Sequence, residues 1–150
     1  MTATIDLADA ARNGAWLVSE ADLDVLDDAA HAEGHLVRRV NLAGCAEKPD
    51  LLRRVANALE FPASFGANWD ALADCLADLE WLPKAGGYAW LFDHAGDLRD
   101  ASETDFDVLC DILEGACVHW RERATPCFAF LAMPDDAFPG PSGAKGKAAR

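Results

Sequence analysis

Apolar and polar residues follow two different periods along the chain, and together they predict strands separated by helices. Continuous apolar runs at 88–92 and 127–131 predict two strands that are covered on both faces. Residues 35–42 alternate in part, with Val37 inward, and predict a third strand. A shorter run at 15–18 leaves open a fourth strand. The pattern is that of a mixed α/β domain.

Apolar residues spaced three and four positions apart predict four helices. The first covers about residues 20–33 after a Ser19 cap, with acids in its first turn and Gly34 at its end. The others are expected from Pro49-Asp50 to Leu59, from the Asn68 cap to about Leu79, and over 105–123.

Strands that alternate with helices predict a parallel sheet with right-handed crossovers. The fold class is therefore α/β, a small three-layer-like sandwich with a parallel three-stranded sheet flanked by helices. The strands at 88–92 and 127–131 are expected in the centre and the strand at 36–42 beside them. The run at 15–18, if it is a fourth strand, is expected at an edge.

The domain organisation follows from where these patterns begin and end. We expect a flexible lead-in over 1–13 and a single domain over 14–138, which includes an N-terminal strand–helix unit at 14–34. After Met133 the composition turns to Pro, Gly, Ser and Lys, which predicts a flexible tail over 139–150.

The balance of acidic and basic residues limits which partners the protein is expected to bind. The 150 residues contain 26 acids and 13 bases, a net charge of −13, and residues 61–114 hold twelve acids and two bases. Binding to nucleic acid or to an anionic membrane requires a basic surface, so neither partner is expected. The sequence has no run of 18 apolar residues and no secretory signal pattern at its start. We therefore expect a cytoplasmic protein with a basic partner.

No cofactor or metal site is expected. The five cysteines contain no CxxC pair, and reduced, buried thiols are the default for such a chain. Cys110, Cys117 and His119 are conceivable ligands, but their spacing matches no common zinc pattern. Neither GxGxxG nor GxxxxGK[ST] occurs, so a nucleotide-binding loop has no support.

The helix predicted over 68–79 has two opposed faces. Its apolar face predicts the core side and comprises Trp69, Leu72, Leu76 and Leu79. The other face carries Asp70, Asp74 and Asp78, which repel one another by about 0.2–0.5 kcal/mol per pair in an isolated helix. Only Asp70 lies where the helix dipole offsets this repulsion. The acidic stripe is either an ordinary solvated face or a site for a cation or a basic surface.

Paired carboxylates also serve general acid–base catalysis, as in glycoside hydrolysis. That chemistry needs a cleft and one carboxyl with a raised pKa, whereas these side chains are expected on a convex helix. No nucleophile signature accompanies any of the four histidines. An enzyme is thus the less favoured class.

The stretch from Phe61 to Leu79 reads FPASFGANWDALADCLADL and resembles the central motif of the barstar family, intracellular inhibitors of barnase-type ribonucleases. The order of elements extends the resemblance over about residues 35–131. The resemblance implies three parallel strands flanked by helices. It also implies that the loop and the acidic helix occupy a ribonuclease active site, with carboxylates where RNA phosphates bind.

The resemblance assigns roles to individual residues. Asp74 matches the central acidic contact of the family, and Asp70 matches the second acid of the helix. Gly66 matches the loop and Asn68 the cap that together set how the helix approaches the ribonuclease. Glu114 on the next helix is a loose match to a third acidic contact. Cys75 and Cys127 match two buried cysteines of the family.

The chain departs from the family pattern at two aromatic positions. Ser64 stands where barstar has a tyrosine, although Phe65 beside it remains aromatic, and Ala73 stands where barstar has a tryptophan. Aromatic contacts commonly supply much of the binding energy of an interface, so their loss is expected to weaken or redirect binding.

The leading hypothesis is a monomeric cytoplasmic inhibitor of a basic ribonuclease of the extracellular or toxin type. The alternative is an interaction module that keeps the scaffold and binds another basic protein. A hydrolase that uses two carboxylates is the third hypothesis.

Overall fold

The apolar runs form the centre of one parallel sheet in the computed structural model, which describes residues 6–134. The strands are β1 (Gly14–Ser19), β2 (Leu36–Asn41), β3 (Tyr88–Asp93) and β4 (Cys127–Met133). Their order across the sheet is β1-β4-β3-β2, and every neighbouring pair is parallel. This confirms the α/β class, the two central strands and the edge position of β1.

In the part of the chain that the structure describes, five α-helices flank the sheet. They are α1 (Glu20–Ala32), α2 (Lys48–Ala58), α3 (Trp69–Leu76), α4 (Ala95–Ala101) and α5 (Glu103–Arg121). None of the helices between residues 6 and 134 is long and apolar enough to cross a membrane.

Side chains of the central strands alternate between two separate cores. In β3, Trp90 and Phe92 enter the larger core, which α2, α3, α4 and α5 cover. In β4, Phe128 and Phe130 enter the smaller core, where α1 contributes Leu23, Leu26 and Ala30. All four of these aromatic side chains are at most 1 % exposed. The result is the expected three-layer arrangement, with α1 as the one α-helix on its face among residues 6–134.

Two helix predictions differ from the structure. The short helix α4 was not predicted, because seven residues are too few to display a helical period. Helix α3 ends at Leu76 rather than near Leu79, because Leu79 adopts a left-handed backbone conformation with φ of 58°. The amide groups of Asp78 and Leu79 both donate to the Cys75 carbonyl, which completes the last turn. The other three helices lie within about three residues of the predicted bounds.

The end of the expected lead-in is packed against the domain. Leu7 is buried in the smaller core and Asn13 is fully buried, with a short 3-10 helix from Ala10 to Arg12 between them. Residues 1–5 of the expected lead-in and the expected tail at 139–150 lie outside the described residues.

Asn13 joins three segments that are distant in sequence. Its amide nitrogen donates to the carbonyls of Cys117 in α5 and Thr125 in the following loop, at 3.0 and 2.9 Å. Its amide oxygen accepts from the backbone N–H of Cys127 at the start of β4, at 2.9 Å. One side chain thus satisfies three backbone groups where β1, α5 and β4 meet.

Asn13→Ala is expected to lower the free energy of unfolding by about 2–4 kcal/mol, because it removes three hydrogen bonds to backbone groups in or near the core. Urea denaturation monitored by circular dichroism measures the change. Arg12→Ala, at the exposed neighbouring position, serves as the control and is expected to change stability by less than about 0.5 kcal/mol. Equal effects of the two substitutions would contradict the role given to Asn13.

Candidate functional site on α3 and the preceding loop

The loop between α2 and α3 rests on a small aromatic cluster. The rings of Phe61 and Phe65 meet edge to face with centroids 4.9 Å apart, and Phe61 meets Trp81 at 5.7 Å. The indole N–H of Trp81 donates to the Leu59 carbonyl at 2.9 Å, which ties the cluster to the end of α2. Phe65 is half-buried by these contacts, while Ser64 lies exposed beside it.

The loop turns into α3 through a left-handed residue and a capping asparagine. Ala67 has φ of 54°, a conformation that costs an alanine about 1–2 kcal/mol. The Asn68 side-chain oxygen accepts from the Ala71 amide at 2.7 Å, which confirms the predicted N-cap. A Cβ on Gly66 would lie 3.3 Å from the Asn68 amide nitrogen, so glycine lets the loop pass close to the cap.

Helix α3 is fixed on its inner side. Leu72 and Leu76 are at most 1 % exposed, and the indole N–H of Trp120 in α5 donates to the Leu76 carbonyl at 2.9 Å. Trp69, expected in the core, is half-buried and packs against it, with the Lys48 ammonium 5.2 Å from its ring centroid. Neighbouring elements therefore determine the orientation of this short helix.

The outer side of α3 presents Asp70, Ala73 and Asp74, which are all exposed. Within residues 6–134, neither aspartate takes part in an ion pair or a side-chain hydrogen bond. Asp70 lies in the first turn, where the helix dipole favours a negative charge. Asp74 lies one turn further along and lacks that compensation. The site is thus an exposed acidic surface whose two carboxylates have no basic partner within residues 6–134.

Asp78 does not belong to the helical stripe that the sequence suggested. It lies beyond the C-cap of α3, in the turn that Leu79 closes. The helix ends at Leu76, and Leu79 is buried with a φ of 58°, so Asp78 lies in the turn after the helix. The exposed acids on α3 itself are therefore the pair Asp70 and Asp74.

Glu114 has a partner within the fold that the sequence did not reveal. Its carboxylate accepts from the backbone N–H of Ala15 in β1 at 2.8 Å, and the residue is half-buried. This bond joins α5 to the edge strand of the sheet. Edge strands carry unpaired backbone groups, and a side chain that covers one of them protects the edge.

The cysteines divide by burial. Cys117 and Cys127 are fully buried with sulfur atoms 3.6 Å apart, and burial raises the pKa of Cys127. Cys127 therefore meets the expectation of a buried residue, whereas Cys75 is half-buried. Burial raises the pKa of Cys75, and the charges of Asp78 and Asp74 raise it further.

In the described part of the chain, no three His, Cys, Asp or Glu side chains form a group able to hold a metal ion.

The fold is a three-layer α/β domain with an exposed acidic helix. The family model for barstar, the barnase inhibitor, matches residues 35–132, about two-thirds of the chain. The chain therefore belongs to the Barstar family, whose members are inhibitors and not enzymes. A search of curated proteins finds no match. β1 and α1 precede the matched region.

Ala67→Gly is expected to stabilise the protein by about 1 kcal/mol, because glycine adopts a positive φ without steric cost. Ala63→Gly in the same loop is the matched control, since Ala63 is exposed and has no positive φ. That substitution is expected to leave stability unchanged or lower it by up to about 1 kcal/mol. Thermal denaturation measures both, and destabilisation by Ala67→Gly would contradict the expectation.

Asp78→Asn is expected to accelerate alkylation of Cys75 by iodoacetamide. Removing a neighbouring negative charge lowers the pKa of the thiol and raises its thiolate fraction, by about 2–3-fold at low salt. Mass spectrometry of the Cys75 peptide gives the rate at pH 8. Asp28→Asn on α1, across the sheet, is the control and is expected to leave the rate unchanged; equal acceleration by both would exclude a local effect.

Proposed function

We propose that this protein inhibits a barnase-type ribonuclease by placing α3 and the preceding loop in the active site of the enzyme. One observation carries the proposal. Asp70 and Asp74 are exposed on the outer side of a helix whose inner side is buried, in the segment that matches the Barstar family. The two carboxylates are thus held ready for an external cation.

The chemistry of inhibition follows from charge. A ribonuclease binds the phosphates of RNA with basic side chains, and exposed carboxylates offer those side chains acceptors of the same charge. Asp74 is the central contact in this proposal and Asp70 the second. Because α3 is held in place before binding, little conformational entropy is lost on association, which favours tight binding.

In this proposal, the loop before α3 contributes close surface contact with the ribonuclease rather than charge. Ser64, Gly66 and Ala67 are small and exposed, and Phe65 offers an aromatic edge beside them. Ala73, between the two aspartates, is also small. These side chains allow the backbone of the partner to approach the helix closely, with the Asn68 cap fixing its direction.

The partner in this proposal is a basic ribonuclease of the extracellular or toxin type, and the inhibitor acts as a cytoplasmic monomer. Residues 61–114 carry a net charge of −10. A surface of one sign attracts a partner of the other sign and raises the association rate. A negative inhibitor thereby intercepts a positive nuclease in competition with RNA.

A second candidate function is an interaction module for another basic protein. The observation that favours it is the absence of large aromatic side chains at Ser64 and Ala73, which are both exposed. Aromatic residues are enriched among the side chains that dominate binding energy. A module with a different partner would use other contacts in their place.

Asp74→Ala is expected to weaken binding to a barnase-type ribonuclease by about 30-fold or more, the effect of losing a residue that dominates an interface. Asp70→Ala is expected to have a smaller effect, and Asp78→Ala far less than Asp74→Ala. Surface plasmon resonance with a catalytically inactive ribonuclease gives the dissociation constants. Asp28→Ala removes the same charge on the opposite face of the sheet and is the matched control.

The association rate for the wild-type protein is expected to fall as salt is raised, because screening weakens charge attraction. Binding that the Asp70→Ala/Asp74→Ala double variant retains at full strength would refute the site. Capture of a basic protein without nuclease activity, together with no inhibition of any barnase-type ribonuclease, would favour the module instead.

A further inference from the structure

A cavity of about 530 Å³ opens beside the end of α3. It lies between the turn after the helix and the first residue of β3, with Trp120 of α5 on one side. Its polar lining includes Asp78, Glu80, Lys84 and Tyr88. The volume falls within the range of about 300–1,000 Å³ that is typical of ligand sites. The cavity thus has room for a side chain of another protein.

Tyr88 contributes a hydroxyl group to the lining of the cavity. The residue is only 9 % exposed, and its ring centroid lies 5.1 Å from that of Trp120. Among residues 6–134, its hydroxyl has no hydrogen-bond partner. The hydroxyl oxygen is not one of the enclosed, unpartnered polar atoms of the described residues, so it opens to the solvent of the cavity and is free to bond a ligand there. The indole N–H of Trp120, in contrast, already donates to Leu76.

The charges around the cavity favour a cation. Asp78 and Glu80 are exposed on its lining, and neither forms an ion pair within the described part of the chain. Lys84 is the basic residue of the lining, so the carboxylates outnumber it. Burial raises the pKa of Tyr88, so the phenol stays neutral and its oxygen accepts a hydrogen bond.

We propose that this cavity binds the guanidinium group of an arginine side chain from a basic protein partner. A planar guanidinium stacks on an aromatic ring, which the half-buried Trp120 supplies, and donates hydrogen bonds in several directions. One donor reaches the Tyr88 oxygen, and the others face the carboxylates of Asp78 and Glu80. A lysine ammonium lacks the planar face and suits the site less well.

This inference rests on the proposed function for the nature of the partner. Asp78 lies in the turn directly after α3, so the cavity adjoins the end of the helix that carries Asp70 and Asp74. A partner seated on α3 would therefore have its neighbouring basic side chains within reach of the cavity. The site would add a contact that selects for arginine at one position of the partner.

The test uses Nα-acetyl-arginine methylamide as a probe on the full chain. The five indole N–H groups give separate signals in a ¹⁵N-correlated NMR spectrum, and Trp120→Phe assigns the one from Trp120. Addition of the probe is expected to shift the Trp120 signal with saturation, at a dissociation constant on the order of 1–10 mM. The corresponding citrulline derivative, which is neutral, is expected to produce no saturable shift.

Tyr88→Phe keeps the ring and removes the hydroxyl, and is expected to weaken binding of the probe by about 3–10-fold. Asp78→Asn/Glu80→Gln provides a second variant at exposed positions and is expected to weaken it by a similar factor. Asp28→Asn is the control for net charge and is expected to bind the probe as the wild type does. Equal binding of the arginine and citrulline derivatives, or undiminished binding by both cavity variants, would overturn the proposal.

Failure of this inference differs from failure of the proposed function. The probe reports on the cavity without any ribonuclease. If the probe fails to bind while the ribonuclease binds through Asp74, the cavity proposal is wrong and the proposed function stands. If the probe binds while no barnase-type ribonuclease does, the cavity proposal stands and the partner is another basic protein.

Discussion

The structure depends on the need to cover a parallel pair of apolar strands on both faces. β3 and β4 are buried along almost their whole length, and parallel strands must be joined by crossovers that return over the sheet. Helix α1 covers one face, and α2, α3, α4 and α5 cover the other. The inner side of α3 thus packs against the core, and this packing determines the direction in which its exposed acidic side faces.

The stability of α3 comes from its surroundings. A helix of eight residues is marginal in water, and repulsion between its acids weakens it further. Burial of Leu72 and Leu76, the Asn68 cap and the bond from Trp120 compensate. The same contacts that allow such a helix to exist also hold its carboxylates in one orientation, which links the packing of the domain to the proposed inhibition.

The N-terminal unit extends the domain beyond the region that matches the family. β1 pairs with β4 and α1 builds the smaller core, which shields Phe128 and Phe130 from water. Asn13 and the bond from Ala15 to Glu114 join this unit to α5 and β4. Because these bonds are buried or half-buried, the unit behaves as part of the domain core. Within this unit, α1 lies on the face of the sheet opposite α3.

The sequence by itself determined three of the strands and left the fourth open. It also determined three of the helices, the parallel α/β class and the segment with the acidic surplus. Apolar runs and helical spacing are local patterns, and the crossover rules convert them into a topology. Only the tertiary structure decided where α3 ends, what Glu114 contacts and that Tyr88 opens into a cavity. Each of these depends on a partner distant in the chain: the core that buries Leu79, the edge strand that offers Ala15, and α5 that brings Trp120 to Tyr88. The spacing of residues along a sequence does not reveal such contacts, because only folding brings the two partners together.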